Sequence, residues 1–254
     1  MDTDHITDVW DRVFATQPDP SVWLVVATAV VALAVVLPYG AWRIARNAIT
    51  IAHEGGHGLV ALLTGRKLDG IRLHSDTSGL TVSRGKPHGL GMILTAAAGY
   101  LAPSLLGLAG AALLAAGHIT ALLWGATALL LAMLVMTRNA YGVLTVVLAG
   151  AAFFLVSWLT NPDVQAAFAY AVVWFLLLGG VRPPFEIQGK RKRMLRAAPA
   201  APSGAVAGRR AGQVDSDPDQ LARLTNVPAA VWLGLFHVVT LCSLIGGGRW
   251  LLEL

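Results

Sequence analysis

Charge is scarce in this chain. Only 13% of its 254 residues are Asp, Glu, Lys or Arg, against roughly a quarter in soluble globular domains, while 56% are hydrophobic. That balance excludes a water-soluble globular fold. It predicts a chain that crosses a bilayer several times, because several apolar runs approach the ~20 residues a helix needs to span about 30 Å of hydrocarbon. Cysteine is almost missing: Cys242 stands alone in an apolar run, so it can form no intramolecular disulfide and says nothing about an oxidising compartment. Signal-peptide features are missing as well. The segment 1–20 is polar and acidic (Asp2, Asp4, Asp8, Asp11, Asp19), with Trp10 and Phe14 spaced like one face of a short interfacial helix. No basic region precedes the first apolar run and no small-residue cleavage site follows it, so that run is expected to remain as a membrane helix. The net charge of +5 lies mostly in loops, where it reads as the Lys/Arg excess of cytoplasmic loops rather than as a nucleic-acid surface.

The apolar runs set the expected architecture. A first helix over Ser21–Leu37 ends at the breaker cluster Pro38-Tyr39-Gly40, and a second follows over Ala41–Leu63. Residues 66–88 change character: GIRLHSDTSGLTVSRG alternates apolar and polar residues on both sides of Ser75-Asp76-Thr77-Ser78-Gly79, the pattern of a β-hairpin. Further spans are expected over Gly89–Gly117, interrupted near Ala98–Ser104 around Pro103, then Ile119–Thr137, Gly142–Leu159 and Val164–Val181. Next comes a polar connector, Arg182–Val227. It opens with the basic run Lys190-Arg191-Lys192-Arg193 and continues into AAPAAPSGAVAG, the composition of a disordered linker. Asp215 to Thr225 reads as a capped amphipathic helix, and Pro228–Gly247 as the last span. The fold class is therefore an all-α polytopic membrane protein with about six to seven transmembrane helices and a small β-hairpin. Its parts are a polar segment 1–20, a membrane domain 21–181, a basic cytoplasmic linker 182–214, and a short helix plus final span over 215–254.

Acids are almost excluded from the apolar runs, and this makes Glu54 conspicuous. An ionised side chain near the bilayer centre costs about 2.5–3.5 kcal/mol on insertion scales, so something must offset it. Glu54 sits within Ile51-Ala52-His53-Glu54-Gly55-Gly56-His57-Gly58. Residues four apart share a helix face, so His53 and His57 can present two imidazole nitrogens to one divalent metal, with Glu54 placed to act on a water beside it. Metal-dependent hydrolysis follows, with Glu54 as general base and acid. Gly55 and Gly56 each weaken a helix by about 1 kcal/mol relative to alanine, which points to close approach of a backbone or a substrate.

With HEGGHG in a membrane helix, LHSDTSGLTVSRG after it, AGYLAPSLLG in the next span, RNAYG at the end of a later one and SDPDQLARLT before the last, the sequence resembles the site-2 proteases. These are intramembrane zinc metallopeptidases, and the likeness is to the short bacterial branch without a PDZ domain. It implies Zn2+ on His53 and His57, Glu54 as catalytic residue, a multi-pass plasma-membrane location, and membrane-anchored protein substrates such as anti-sigma factors or signal-peptide remnants. The chain departs from the family in one respect: the span that would carry the third ligand, an aspartate followed by glycine, has none. Asn139 is nearest to that place and is expected as a partner for a substrate carbonyl. Asp217 is the preferred third ligand, with Asp215, Asp219 and His237 as alternatives, because catalytic zinc sites generally have three protein ligands plus water. His74, on the hairpin, is expected to be structural. An alternative function is a metal-binding but non-cleaving membrane protein that holds a partner helix. A transporter would need paired ionisable residues on several spans, and the sequence has few.

Positive charge predicts the orientation: Arg182–Val227, Arg138 and the Arg66–Lys86 region inside, with Arg43, Arg46 and Arg249 outside. An acidic N-terminus inside and Arg43 with Arg46 outside fit this scheme poorly, and a tilted or re-entrant first pair of helices would relieve both.

Overall fold

The structure, a computed structural model, describes residues 13–197 and 216–253. Most of segment 1–20, the linker beyond residue 197, and Asp215 lie outside the described residues. Eight helices and one hairpin are present among them: α1 (Val22–Val36), α2 (Tyr39–Leu63), β1 (Lys67–Leu73), β2 (Gly79–Arg84), α3 (Leu90–Ala115), α4 (Ile119–Met136), α5 (Ala140–Leu159), α6 (Pro162–Ala197), α7 (Asp217–Thr225) and α8 (Ala229–Leu251). Five helices are long and apolar enough to cross a bilayer, and α1 with α2 make a sixth candidate bent by 104°. The expected polytopic helical fold with its hairpin is present.

Leucines and valines face outward along the spans. Leu144, Val147, Leu148 and Leu155 of α5 are all exposed, as side chains that meet lipid should be. Val25, Leu114, Leu122, Val173, Trp174 and Leu177 form the largest core, where α1, α3, α4 and α6 meet. Small residues permit that packing. A β-carbon at Gly110 would lie 2.7 Å from Val173, and one at Gly107 would lie 3.0 Å from Leu177.

The bend between α1 and α2 revises the expected orientation. Arg182 on α6 donates to the carbonyl oxygens of Val36 and Leu37 at the end of α1 and lies over the Trp42 ring, 4.8 Å from its centroid. Glu186 accepts from Trp42 Nε1 at 2.8 Å and pairs with Arg46 at 3.4 Å. Arg46 thus shares an end of the molecule with Arg182, not the opposite one. At the far end, Gln17 N donates to Gly117 O at 2.9 Å, which puts the start of α1 beside the turn between α3 and α4. The 104° angle makes α1 and α2 a broken or re-entrant pair, the arrangement that the misplaced charges called for, with Arg46 at the basic end and residue 17 away from it.

One expected interruption and one expected end are not found. α3 continues through Pro103 without a break, and α6 continues through Pro183 and Pro184 to Ala197 instead of ending near Val181. A proline inside a helix removes one hydrogen bond and crowds the preceding turn, a local cost that the close packing around the buried Pro103 and Pro184 offsets. The i,i+4 pair Arg182–Glu186, 3.0 Å apart, supports the extended helix.

The hairpin has the expected turn, with Leu73 opposite Gly79 and Lys67 opposite Arg84. It is embedded in the protein: Ile71 and Leu73 pack with Ile51, Met133 and Val146. Burying two such aliphatic side chains contributes about 3–6 kcal/mol, which ties the strand to α2, α4 and α5. His74 takes part only in the turn, with Nδ1 3.3 Å from Ser78 Oγ.

Candidate metal centre

The i,i+4 spacing does what a helix dictates. His53 and His57 point from one face of α2, and their Nε2 atoms are 3.2 Å apart. His57 Nδ1 donates to the backbone oxygen of Thr95 on α3 at 2.7 Å, which leaves Nε2 as a bare lone pair directed at its neighbour. Asp217, at the start of α7, brings Oδ2 to 3.3 Å from His53 Nε2 and 3.2 Å from His57 Nε2. These three residues form the one group of ligand-type side chains among the described residues able to hold a metal ion.

Three observations test whether an ion fits. Tetrahedral ligands at the usual 2.0–2.1 Å from zinc stand roughly 3.3–3.4 Å apart, and this triangle has edges of 3.2–3.3 Å. Asp217 Oδ2 is buried with no hydrogen-bond donor, an arrangement that costs about 1–3 kcal/mol unless a cation satisfies it. The wall opposite is Gly99, where a β-carbon would sit 2.6 Å from His53 Nε2 and closer still to His57 Nε2, filling the space an ion needs. Two imidazoles and one carboxylate with a fourth position left over is a donor set suited to catalytic zinc.

Glu54 is buried beside this triangle, under the hairpin. Thr81 of β2 donates to its Oε2 at 2.7 Å and also lies 3.1 Å from its backbone oxygen. Gly79 allows the fit, since a β-carbon there would come within 2.5 Å of Glu54 Oε1. Thr50 donates to the Thr77 oxygen at 2.9 Å and fastens the turn to α2. A cavity of 470 Å³ opens onto the triad, with Gly79 to Thr81 on one side and Met92, Tyr100 and Ile187 on another. Gly56 presses α2 onto α3, where a β-carbon would meet Ala102 and lie 3.2 Å from the Ala98 oxygen, whereas Gly55 is not tightly packed. Close backbone packing is therefore the role of Gly56.

The other sequence candidates lie elsewhere. Asn139 does not line the cavity. Its carboxamide acts as a strand partner for Leu73, accepting from Leu73 N at 3.1 Å and donating to Leu73 O at 2.6 Å on the outer edge of β1. His237 donates from Nδ1 to Leu233 O and packs against Phe185. Asp219 is paired with Arg191.

Thr81, Gly99 and the Thr95 carbonyl were not visible as site groups in the sequence. Only the run AGYLAPSLLG, with its unusual small residues, hinted at Gly99. No curated protein and no solved structure matches the chain. The family model of the Peptidase M50B-like proteins does match, over residues 26–247, a stretch that contains His53, Glu54, His57 and Asp217. By that match and by the helix that carries its histidines, the chain belongs to the Peptidase M50B-like family, within the site-2 proteases.

Proposed function

We propose that the protein is a zinc-dependent intramembrane endopeptidase that cuts membrane-anchored proteins near the basic end of their spans, in the plasma membrane of a bacterium. The observation that carries this reading is the triangle of His53, His57 and Asp217 lone pairs beside a buried Glu54. When bound there, zinc supplies Lewis acidity, polarising a scissile carbonyl and lowering the pKa of a water toward neutrality. Glu54 takes the proton from the attacking water and returns it to the departing amine. Thr81 fixes one oxygen of that carboxylate and so orients the other. A substrate helix hides its carbonyls in its own hydrogen bonds, so it must unwind before attack. Strand β2, which pairs only with β1 in the sheet, offers backbone groups to an extended segment.

The alternative of a non-cleaving holder drew its support from the missing aspartate in the spans, and Asp217 beside both histidines weakens that support. Release of fragments by the wild-type protein separates the two readings, and Glu54→Gln tests the mechanism. In proteoliposomes with a single-span test peptide that carries Asn-Pro near one end, this variant is expected to keep zinc and release no fragments, whereas His53→Ala loses the metal. Fragments released by Glu54→Gln at the wild-type rate would exclude Glu54 as the general base, and a wild-type protein that binds zinc but releases none would favour the holder.

A further inference from the structure

Asp217 reaches the histidines from outside the spans, on a helix of only nine residues. What holds its first turn in place is therefore a question of its own. Leu221 anchors the middle of α7, fully buried among Ala96, Ala97, Leu233 and Phe236. The first turn lacks the usual support, because Ser216, at the N-cap position, makes no side-chain cap to the backbone. Its hydroxyl donates instead to Asp219 Oδ2 at 2.5 Å. The other oxygen of Asp219 accepts from Arg191 Nη1, on the extension of α6 beyond Pro183 and Pro184. Residues two apart on a helix are about 200° apart around its axis. Asp217 and Asp219 therefore face opposite ways, and the turn is gripped between the histidines on one side and Arg191 on the other.

We propose that Arg191 and Asp219 are positioning residues of the metal centre: their ion pair fixes the first turn of α7 so that Asp217 completes the ligand set. This rests on the reading of His53, His57 and Asp217 as ligands. It also gives a role to the unexpected length of α6, whose extension carries Arg191 out to α7. Neither residue touches the ion, so their loss weakens the metal through Asp217 alone.

The test is zinc affinity of the full chain in lipid nanodiscs, measured by competition with a chelator. Arg191→Ala, Asp219→Asn and the double variant are each expected to bind zinc about 10–100-fold more weakly, the range for groups that orient a ligand. The double variant is expected to lose no more than either single one, because all three break the same link. Asp219→Asn is isosteric, so the test survives a folding defect in Arg191→Ala, and Arg191→Lys is expected to recover most of the affinity. Wild-type affinity in Asp219→Asn, or losses that simply add in the double variant, would overturn the proposal. A wild-type chain that binds no zinc would overturn the metal-centre reading itself.

Discussion

Gly99→Ala puts the geometry of the centre to a demanding test, because it adds one methyl group and removes no ligand. The new β-carbon would stand 2.6 Å from His53 Nε2. Non-bonded heavy atoms settle at roughly 3.5 Å or more, so the ring must retreat by about 0.9 Å. His57 is closer still and cannot withdraw freely, since its Nδ1 is held by Thr95 O at 2.7 Å. Metal sites tolerate ligand errors of only about 0.2 Å. The displacement exceeds that several-fold, and the expected result is zinc binding weakened at least 100-fold, about 2.8 kcal/mol. Stability should fall by less, about 0–2 kcal/mol, since alanine favours a helix interior by about 1 kcal/mol over glycine while overpacking costs about 1–3 kcal/mol. Chelator competition measures the affinity, and thermal unfolding followed by circular dichroism measures the stability. Wild-type zinc affinity in a folded Gly99→Ala protein would refute the argument that the ion sits between the histidines and α3.

The remaining predictions concern the supports of the site. Asn139→Ala leaves the Leu73 amide and carbonyl without partners, which should loosen the β1 edge by about 1–3 kcal/mol and speed hydrogen exchange at Leu73, with zinc content unchanged. Loss of zinc in that variant would show that Asn139 acts on the centre after all. Burial would raise the Asp219 carboxyl, but Ser216 and Arg191 outweigh it and hold the group below its ordinary 3.8. A lowered folded value stabilises the docked helix at pH above the unfolded value, and that contribution is lost as pH falls below 3.8 through the folded one. The difference in protease access to α7 between zinc-free wild type and zinc-free Asp219→Asn, which cancels the groups the two share, should therefore stay constant from neutrality down to about that pH and shrink below it; a difference already lost at pH 6 would contradict the assignment.

The ligand helix was legible because its chemistry is local: a 3.6-residue period puts His53 and His57 on one face whatever surrounds them. The hairpin was legible for the same reason, through alternation around a turn-forming cluster. Asp217 could be named from its motif but not placed, since its approach to the histidines depends on how α7 docks against Ala96, Leu233 and Phe236. Thr95 and Thr81 act through contacts 38 and 27 residues away in the chain, and no periodicity reports those. The interruption expected at Pro103 and the end expected near Val181, before the polar connector, were not found: Pro103 and Pro184 are buried in tight helix packing, and tertiary contact overrode the local preference. The break at Pro38 was legible as a breaker cluster, and the poor fit of Arg46 to the charge pattern pointed to a tilted or re-entrant first pair; the 104° angle itself depends on packing that composition does not report.

The central claim, that an ion held by two imidazoles and a carboxylate from outside the spans lies beside Glu54, is tested most directly by metal analysis of the purified chain with its native lipid retained. The account predicts one zinc per wild-type chain and near-complete loss in His57→Ala and Asp217→Ala, with Asp219→Asn retaining zinc at saturating concentration. Stoichiometric zinc in Asp217→Ala, at wild-type affinity, would contradict it.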